Sequence, residues 1–273
     1  MNKQKNGFEQ IQKIITRIRK PFASKQTKFA GNQDNNTKMK ARILIFLTIA
    51  ALSGCTNGNT TKNPARNHSH ELLTDAELSV TQTTSGKVAG YIDDGIFTYK
   101  GIPYAKAERF MPPVPADRWN GIRSCRAYGP TCPQGKRTGW YSDEQAFSFS
   151  WDDGFADEDC LRLNIWTPGI NDGRKRPVMV WLHGGGYSAG SGQELPSYDG
   201  HNLADKGDVV VVTLNHRLNV LGFLDLSAYG EKYAYSGNAG LLDIVAALDW
   251  VKANIARFGG DAGNVTIFGQ SGG

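Results

Sequence analysis

Short apolar runs separated by polar turns follow one another along the chain from about residue 85. The first two runs, 87–91 and 96–101, flank the turn Asp93-Asp94-Gly95 and predict a β-hairpin. Further strands are predicted at 161–167, 178–182, 209–214 and 265–268. The run 209–214 is unbroken and rich in β-branched residues, which is typical of a central strand that is buried on both faces.

The stretch 241–258 carries its apolar residues at helical spacing, and Gly259 and Gly260 follow it as a stop signal. This predicted helix connects the strand at 209–214 to the strand at 265–268. A strand, a helix and a strand in this order require a crossover, so the pattern predicts an α/β domain with a mostly parallel central sheet. Ligands are expected at the carboxyl ends of the strands in such a sheet.

A separate apolar run, 43–52, lies nearer the amino terminus and has different neighbours. Lys40 and Arg42 precede this run, and it ends in Leu52-Ser53-Gly54-Cys55. A run of about ten residues is too short to cross a bilayer as a helix, whereas it fits the apolar part of a secretory signal. A buried core helix is the alternative.

The small residues before Cys55 resemble a bacterial lipobox. We therefore expect residues 39–55 to be a lipoprotein signal peptide and Cys55 to carry lipid. On this interpretation the protein is secreted across the inner membrane of a bacterium and anchored to the cell envelope.

Residues 1–38 precede this signal, and we interpret them as an over-extended start with Met39 as the initiator. A basic amphipathic segment that lies on a membrane surface is the alternative. After the signal, the chain is polar and rich in Asn and Thr, and we interpret residues 56–84 as a flexible tether. The α/β domain then occupies residues 85–273.

The formal charge of +5 belongs to the leader rather than to this domain. Residues 1–54 carry 11 of the 31 Lys and Arg residues and 2 of the 26 Asp and Glu residues, which leaves 20 basic against 24 acidic residues from Cys55 onward. A net negative domain removes the main argument for a nucleic-acid partner. The hydrophobic share of 40% is typical of a globular protein.

The remaining cysteines are Cys125, Cys132 and Cys160. A secreted protein meets an oxidising compartment, and an odd count allows one disulfide and leaves one cysteine over. Cys125 is either free or bonded to a residue beyond Gly273. A metal site is not predicted, because no CxxC sequence and no His pair at ligand spacing accompanies these cysteines.

The sequence Gly269-Gln270-Ser271-Gly272-Gly273 directly follows the predicted strand at 265–268. A Gly-x-Ser-x-Gly sequence at the end of a buried strand indicates a nucleophile elbow. Its sharp turn needs small residues around Ser271 and holds that serine in a strained backbone conformation. An ordinary glycine turn is the alternative.

A second glycine-rich loop, His183-Gly184-Gly185-Gly186, follows the strand at 178–182. Glycines let backbone N–H groups approach a reacting oxygen closely, as acyl-transfer enzymes require. The candidate oxyanion donors are the N–H groups of Gly185, Gly186 and Gly272. A phosphate-binding loop is disfavoured, because the Lys-Ser/Thr pair of a P-loop is absent.

These motifs together resemble the type B carboxylesterase family, which includes the cholinesterases. The resemblance runs from about Gly86 to the end of the chain. It is carried by the segments 101–105, 158–164, 183–186, 222–224 and 237–243, by Asn254-Ile255 and Phe258-Gly259-Gly260-Asp261, and by the Gly-x-Ser-x-Gly sequence.

The resemblance implies an α/β-hydrolase fold and hydrolysis of small-molecule esters through an acyl-enzyme on Ser271, with no cofactor. It supports a disulfide between Cys132 and Cys160. It also implies structural rather than catalytic roles for several side chains, namely the ion pairs Arg109 with Glu158 and Arg217 with Asp243, and the histidines His183 and His216.

The chain departs from the family pattern in two respects. Gln270 replaces a glutamate found in many relatives, which removes a negative charge and disfavours cholinesterase activity. The acid and the histidine that activate the serine in this family follow the elbow, whereas two residues follow Ser271 here. We interpret the chain as the amino-terminal part of the hydrolase, incomplete at the carboxyl end.

We therefore expect this stretch alone to be inactive and poorly stable, with the apolar faces of 209–214 and 265–268 lacking partners. Trp140 and Trp151 either line a pocket or pack in the interior. A catalytically silent, cholinesterase-like binding or adhesion protein is the alternative function, and a natural truncation is a third interpretation.

Overall fold

The computed structural model describes residues 70–75, 77–135 and 142–273. The predictions for the start at 1–38, for the signal 39–55 with Cys55 and for Trp140 lie outside these residues. Residues 70–273 form one compact unit. Among the described helices, none has the length and apolar character needed to cross a membrane.

Strands make up most of the regular structure in the first half of the described chain. They are β1 (Leu72–Leu73), β2 (Val80–Gln82), β3 (Lys87–Ala89), β4 (Tyr91–Asp93), β5 (Ile96–Pro103), β6 (Ala105–Lys106), β7 (Val114–Pro115), β8 (Ile122–Ser124), β9 (Arg162–Thr167), β10 (Arg176–Leu182), β11 (Val210–Leu214) and β12 (Gly260–Gly269).

Helices lie between the later strands. They are α1 (Asp143–Ser148), α2 (His201–Gly207), α3 (Asn219–Phe223) and α4 (Ala239–Asn254). Single 3₁₀ turns occur at Glu77–Ser79, Pro196–Tyr198, Ser227–Tyr229, Glu231–Tyr233, Ser236–Asn238 and Ile255–Phe258.

A seven-stranded sheet in the order β1-β4-β5-β9-β11-β10-β12 organises the described residues. The pairings of β10 with β11 and of β10 with β12 are parallel, and the other pairings of this sheet are antiparallel. The prediction of a mostly parallel sheet therefore applies only to β11, β10 and β12, and the described sheet is mixed. Among the antiparallel pairs, β4 and β5 are joined by a short turn, which favours antiparallel neighbours.

The predicted β-hairpin is present, but its first strand is β4 rather than residues 87–91. Tyr91 pairs with Thr98 and Asp93 with Ile96 across the turn. β3 instead pairs with β2 and β8 in a separate three-stranded sheet. Gly90 separates β3 from β4, and a Cβ at this position would lie 2.0 Å from the carbonyl oxygen of Thr98. The close approach of two backbones at a glycine marks the change of sheet, which an alternating pattern does not reveal.

The strand β11 is buried along its whole length, as its sequence predicts. Val210 and Val212 belong to a hydrophobic cluster that includes Val251 of α4. Val211 belongs to a second cluster that includes Ala204 of α2. Successive side chains of a strand point to opposite faces, so each face of β11 has its own helix.

The expectation that 209–214 would lack partners is therefore wrong. The same expectation for residues 265–268 agrees with the structure, because most of β12 is exposed and Ile267 has 46% of its surface accessible. Part of the apolar surface at this end of the sheet has no cover from the described residues.

The predicted helix at 241–258 is confirmed as α4 followed by the 3₁₀ turn Ile255–Phe258. Gly259 ends it in the left-handed conformation, with φ of +72°. The buried face of α4 includes a charged residue, Asp243, which pairs with Arg217 as the resemblance implies. Two guanidinium nitrogens of Arg217 donate to the two carboxylate oxygens at 2.8 and 2.7 Å.

A further nitrogen of Arg217 donates to the carbonyl oxygens of Glu108 and Met111, at 3.1 and 2.8 Å. This buried ion pair therefore joins α4 to the loop after β11 and to the loop that follows β6. Charges removed from water stabilise a fold only when their hydrogen bonds are satisfied, and here both partners have several.

Cys132 and Cys160 form a disulfide with a Cα–Cα distance of 4.9 Å. The second expected ion pair is also present, since Arg109 Nε lies 2.9 Å from both carboxylate oxygens of Glu158. Cys125 is a buried thiol, and burial raises its pKa to about 12. A thiol with so high a pKa is unreactive at neutral pH.

The boundary of the tether needs a correction. Residues 56–84 were assigned to it on their polar composition, but β1 and β2 lie within this range. β1 pairs with β4, and β2 pairs with β3. The folded part therefore begins at Leu72 or earlier. The sequence does not reveal this, because edge strands of two or three residues are too short to produce a recognisable pattern.

Asp243→Asn is expected to lower the free energy of unfolding by about 3–5 kcal/mol, because it leaves the buried guanidinium of Arg217 without a counter-charge. Urea denaturation of the complete protein measures the change. Asp117→Asn is the matched control, since Asp117 pairs with Lys106 at the surface and exposed pairs contribute little. Equal losses in the two variants would contradict the role given to Arg217 and Asp243.

Candidate active site

The candidate nucleophile lies in a sharp turn at the carboxyl end of β12. Ser271 has φ of +56°, a backbone conformation that a residue with a side chain rarely adopts. The N–H of Gly273 donates to the carbonyl oxygen of Gln270 at 3.0 Å and closes the turn. A Cβ on Gly269 would lie 2.5 Å from the carbonyl carbon of Gly273. A side chain at Gly269 is therefore excluded by the backbone of Gly273.

The second glycine loop follows the carboxyl end of β10. Gly185 has φ of +101°, and a Cβ on it would lie 2.1 Å from the carbonyl oxygen of Ala189. The N–H groups of Ser188 and Ala189 both donate to the carbonyl oxygen of Gly185, at 3.0 and 3.1 Å. Gly186 also has positive φ, +58°, but no atom would obstruct a Cβ there.

The two loops meet because β10 and β12 are parallel neighbours with Leu182 opposite Gly269. A Cβ on Gly272 would lie 3.0 Å from the backbone nitrogen of Gly186. A Cβ on Gly184 would lie 2.1 Å from the side-chain oxygen of Gln270. The structure thus places Ser271 and the three candidate donors, Gly185, Gly186 and Gly272, together at the carboxyl ends of β10 and β12.

A cavity of about 410 Å³ opens beside Ser271. Its wall includes the aromatic residues Trp151, Trp181 and Tyr198, and the rings of Trp181 and Tyr198 lie 4.9 Å apart between centroids. Trp151 belongs to the loop closed by the disulfide, and its indole nitrogen donates to Asp153 at 2.8 Å. Of the two alternatives for Trp151, the structure favours the pocket wall.

Glu194 also lines this cavity, and no sequence pattern singles it out. Burial raises the pKa of its carboxyl to about 7, and the negative charge of Asp153 acts in the same direction. Hydrogen bonds from the Ser191 N–H and from Tyr198 oppose this rise. The only signal in the sequence is a single acidic residue in an uncharged stretch, which gives no indication of burial.

His183 and His216 are buried side by side, with ring centroids 4.9 Å apart and an interplanar angle of 13°. Burial, together with the neighbouring His216, lowers the pKa of His183 to about 3. Burial also lowers the pKa of His216. Neutral, weakly basic rings of this kind fit the structural roles that the resemblance implies rather than the role of a general base.

Among the described residues, His70, Asp93 and Asp94 form a cluster whose ligand atoms lie within 4.8 Å of one another. His70 Nε2 lies 2.7 Å from an Asp93 carboxylate oxygen, which an ion pair alone explains. None of the three residues lines the cavity beside Ser271.

Residues 77–273 match the model of the carboxylesterase family. The chain belongs to this family. A para-nitrobenzyl esterase of Bacillus subtilis is 46% identical over 198 residues, which are 71% of this chain and 38% of that enzyme. A fumonisin B1 esterase of Sphingopyxis macrogoltabida is 43% identical over 206 residues, which are 73% of this chain and 36% of that enzyme.

Solved carboxylesterase structures agree with the fold. An esterase of Clostridium hathewayi, described as hydrolysing aliphatic aromatic polyesters, has 49% sequence identity and a TM-score of 0.70, over 74% of this chain and 40% of its own. A Geobacillus stearothermophilus carboxylesterase has 48% identity and a TM-score of 0.62, over 70% of this chain and 37% of its own. The fold is that of the α/β-hydrolases, and this chain spans less than half the length of these relatives.

Gly185→Ala and Gly186→Ala are expected to differ in their effect on stability. Both place a side chain at positive φ, which costs roughly 1–2 kcal/mol. Gly185→Ala also drives its Cβ against the Ala189 carbonyl, and such overpacking adds about 1–3 kcal/mol. Denaturant unfolding of the two variants of the complete protein measures the difference. Equal stabilities would contradict the described path of the glycine loop.

Proposed function

We propose that the complete protein is a serine hydrolase that cleaves carboxylic esters through an acyl-enzyme on Ser271. One observation carries this proposal. Ser271 is held at positive φ at the end of β12, and its neighbours Gln270 and Gly272 closely approach the glycine loop that follows β10. A binding protein has no need of a strained serine beside such a loop, so we favour hydrolysis over the silent binding or adhesion function.

In the proposed reaction the hydroxyl oxygen of Ser271 attacks the ester carbonyl carbon, and the carbonyl oxygen becomes an oxyanion. The N–H groups of Gly185, Gly186 and Gly272 are the proposed donors to this oxyanion. By analogy with oxyanion holes in general, each contributes about 3–4 kcal/mol to transition-state stabilisation. The alcohol leaves with a proton, and water then hydrolyses the acyl-serine to the acid.

A serine hydroxyl needs a base to accept its proton, and an acid group orients that base. The buried rings of His183 and His216 do not fit this role. We propose that the base and its acidic partner belong to the part of the relatives' length that this chain does not span. No cofactor is required for this chemistry.

We also propose that the protein is secreted and anchored to the cell envelope of a bacterium by lipid on Cys55. The signal-like order of basic residues, the apolar run 43–52 and small residues before Cys55 supports this proposal. The disulfide between Cys132 and Cys160 is compatible with an oxidising compartment.

Ser271→Ala in the complete protein is expected to lower turnover of a short-chain nitrophenyl ester by at least about 10³-fold, since the nucleophile is lost. Steady-state kinetics measure kcat/KM. Ser227→Ala, at an exposed serine outside the cavity, is the control and should keep the parent activity. Full activity of Ser271→Ala would rule out the proposed nucleophile.

Cys55→Ala is expected to abolish lipid attachment in a bacterial host and to release the protein from the membrane fraction. Metabolic labelling with a fatty acid, followed by detergent phase partitioning, measures both effects. Cys125→Ala is the matched cysteine control and should remain labelled. A parent protein that takes up no label would contradict the anchor.

A further inference from the structure

A carboxyl group is built into the wall of the cavity beside Ser271. Glu194 has 5% of its surface exposed, and its carboxylate oxygen accepts the N–H of Ser191 at 3.1 Å. Tyr198, which lines the same cavity, also hydrogen-bonds to this carboxyl. The carbonyl oxygen of Glu194 accepts the N–H of Asp152 at 2.9 Å, which ties this loop to the disulfide-closed loop. The carboxyl is therefore fixed in place.

The described residues that line this cavity carry charge of one sign. Two of them are acidic, Glu194 and Asp153, and none of them is Lys or Arg. The other polar side chains of the described lining, among them Gln134, Gln270 and Trp181, carry no charge. Asp153 is exposed and screened by water, whereas Glu194 is buried, where a charge acts over a longer range.

We propose that Glu194 is a specificity-determining residue that makes this cavity accept uncharged esters and reject esters that carry a free carboxylate. The inference rests on the proposed function at Ser271 and names the class of substrate for that site. A diester would then be cleaved once. The monoester product carries a carboxylate, and the cavity would reject it for a second turnover.

The discrimination depends on pH because the charge of Glu194 does. Burial raises the pKa of its carboxyl to about 7, and the described titratable groups that face it are Asp153, which raises this pKa, and Tyr198, whose hydrogen bond lowers it. The carboxyl is neutral at lower pH and charged at higher pH. A substrate carboxylate is ionised over this whole range, so the repulsion grows as the pH rises through neutrality.

The test compares pairs of esters that differ only in a carboxylate or an uncharged carboxamide. Monoethyl adipate and ethyl adipamate place the difference on the acyl side, and 4-carboxyphenyl and 4-carbamoylphenyl butyrate place it on the alcohol side. The complete protein is assayed from about pH 5.5 to about pH 8.5. In the pair whose distinguishing group enters the cavity, kcat/KM for the amide is expected to exceed that for the carboxylate by at least about tenfold at high pH, and by less at low pH.

Glu194→Gln keeps the shape of the side chain and is expected to remove most of this ratio and its pH dependence. Glu77→Gln removes one exposed negative charge outside the cavity and should leave both unchanged. Tyr198→Phe removes a hydrogen bond that favours the charged form, so the pH midpoint of the ratio should move upward. Tyr198→Phe tests the proposal even if Glu194→Gln fails to fold.

The outcomes separate the two proposals. Amide and carboxylate esters cleaved equally well would overturn the role of Glu194 and leave Ser271 chemistry intact. A ratio that persists in Glu194→Gln would also overturn it, because the repulsion would then come from another group. Absence of turnover with all four esters would overturn the hydrolase function, and the inference about Glu194 with it.

Discussion

The parallel pairing of β10 with β12 is the constraint on which the candidate site depends. It sets Leu182 opposite Gly269, so the two loops that follow these strands begin at the same level of the sheet. A Cβ on Gly273 would lie 2.0 Å from the carbonyl oxygen of Leu182, which leaves no space for a side chain between them. Backbone contact, rather than side-chain packing, therefore aligns Ser271 with the glycine loop.

This alignment requires strands that hold their position. β11 supports β10 from the other side, and each of its faces is covered by a helix. The ion pair of Arg217 with Asp243 fixes α4 relative to the loop after β11, and the hydrogen bonds of Arg217 reach the loop after β6 as well. The described residues thus stabilise the side of the sheet at β11, whereas β12 remains largely exposed.

The sequence allows prediction of those features that are encoded by neighbouring residues. The β-branched run at 209–214 and the helical spacing at 241–258 report burial directly, and both elements are present with shifts of a few residues at their ends. The two glycine motifs each require particular backbone angles, so Ser271 and Gly185 have the positive φ values expected of a strained elbow and a glycine loop. Their proximity follows from the strand order.

The sequence pattern does not reveal features that depend on residues far apart in the chain. Lys87–Ala89 alternates as a hairpin strand would, yet it pairs with Ile122–Ser124, more than thirty residues later in the chain. β1 and β2 are too short to show a pattern, and they hold the stretch after residue 70 to the sheets through partners elsewhere. Glu194 is acidic and lies in a loop, a combination usually found in water, and its burial comes from the disulfide-closed loop and from Tyr198.

Burial changes the protonation of two groups near Ser271. It lowers the pKa of His183 to about 3 and raises that of Glu194 to about 7, because each group loses the solvation of its charged form. A low dielectric also strengthens hydrogen bonds from backbone N–H groups to a developing oxyanion. A neutral Glu194 leaves that stabilisation unopposed, whereas a charged one places a second negative charge in the same cavity. The burial of Glu194 therefore makes the cavity sensitive to the charge of what enters it.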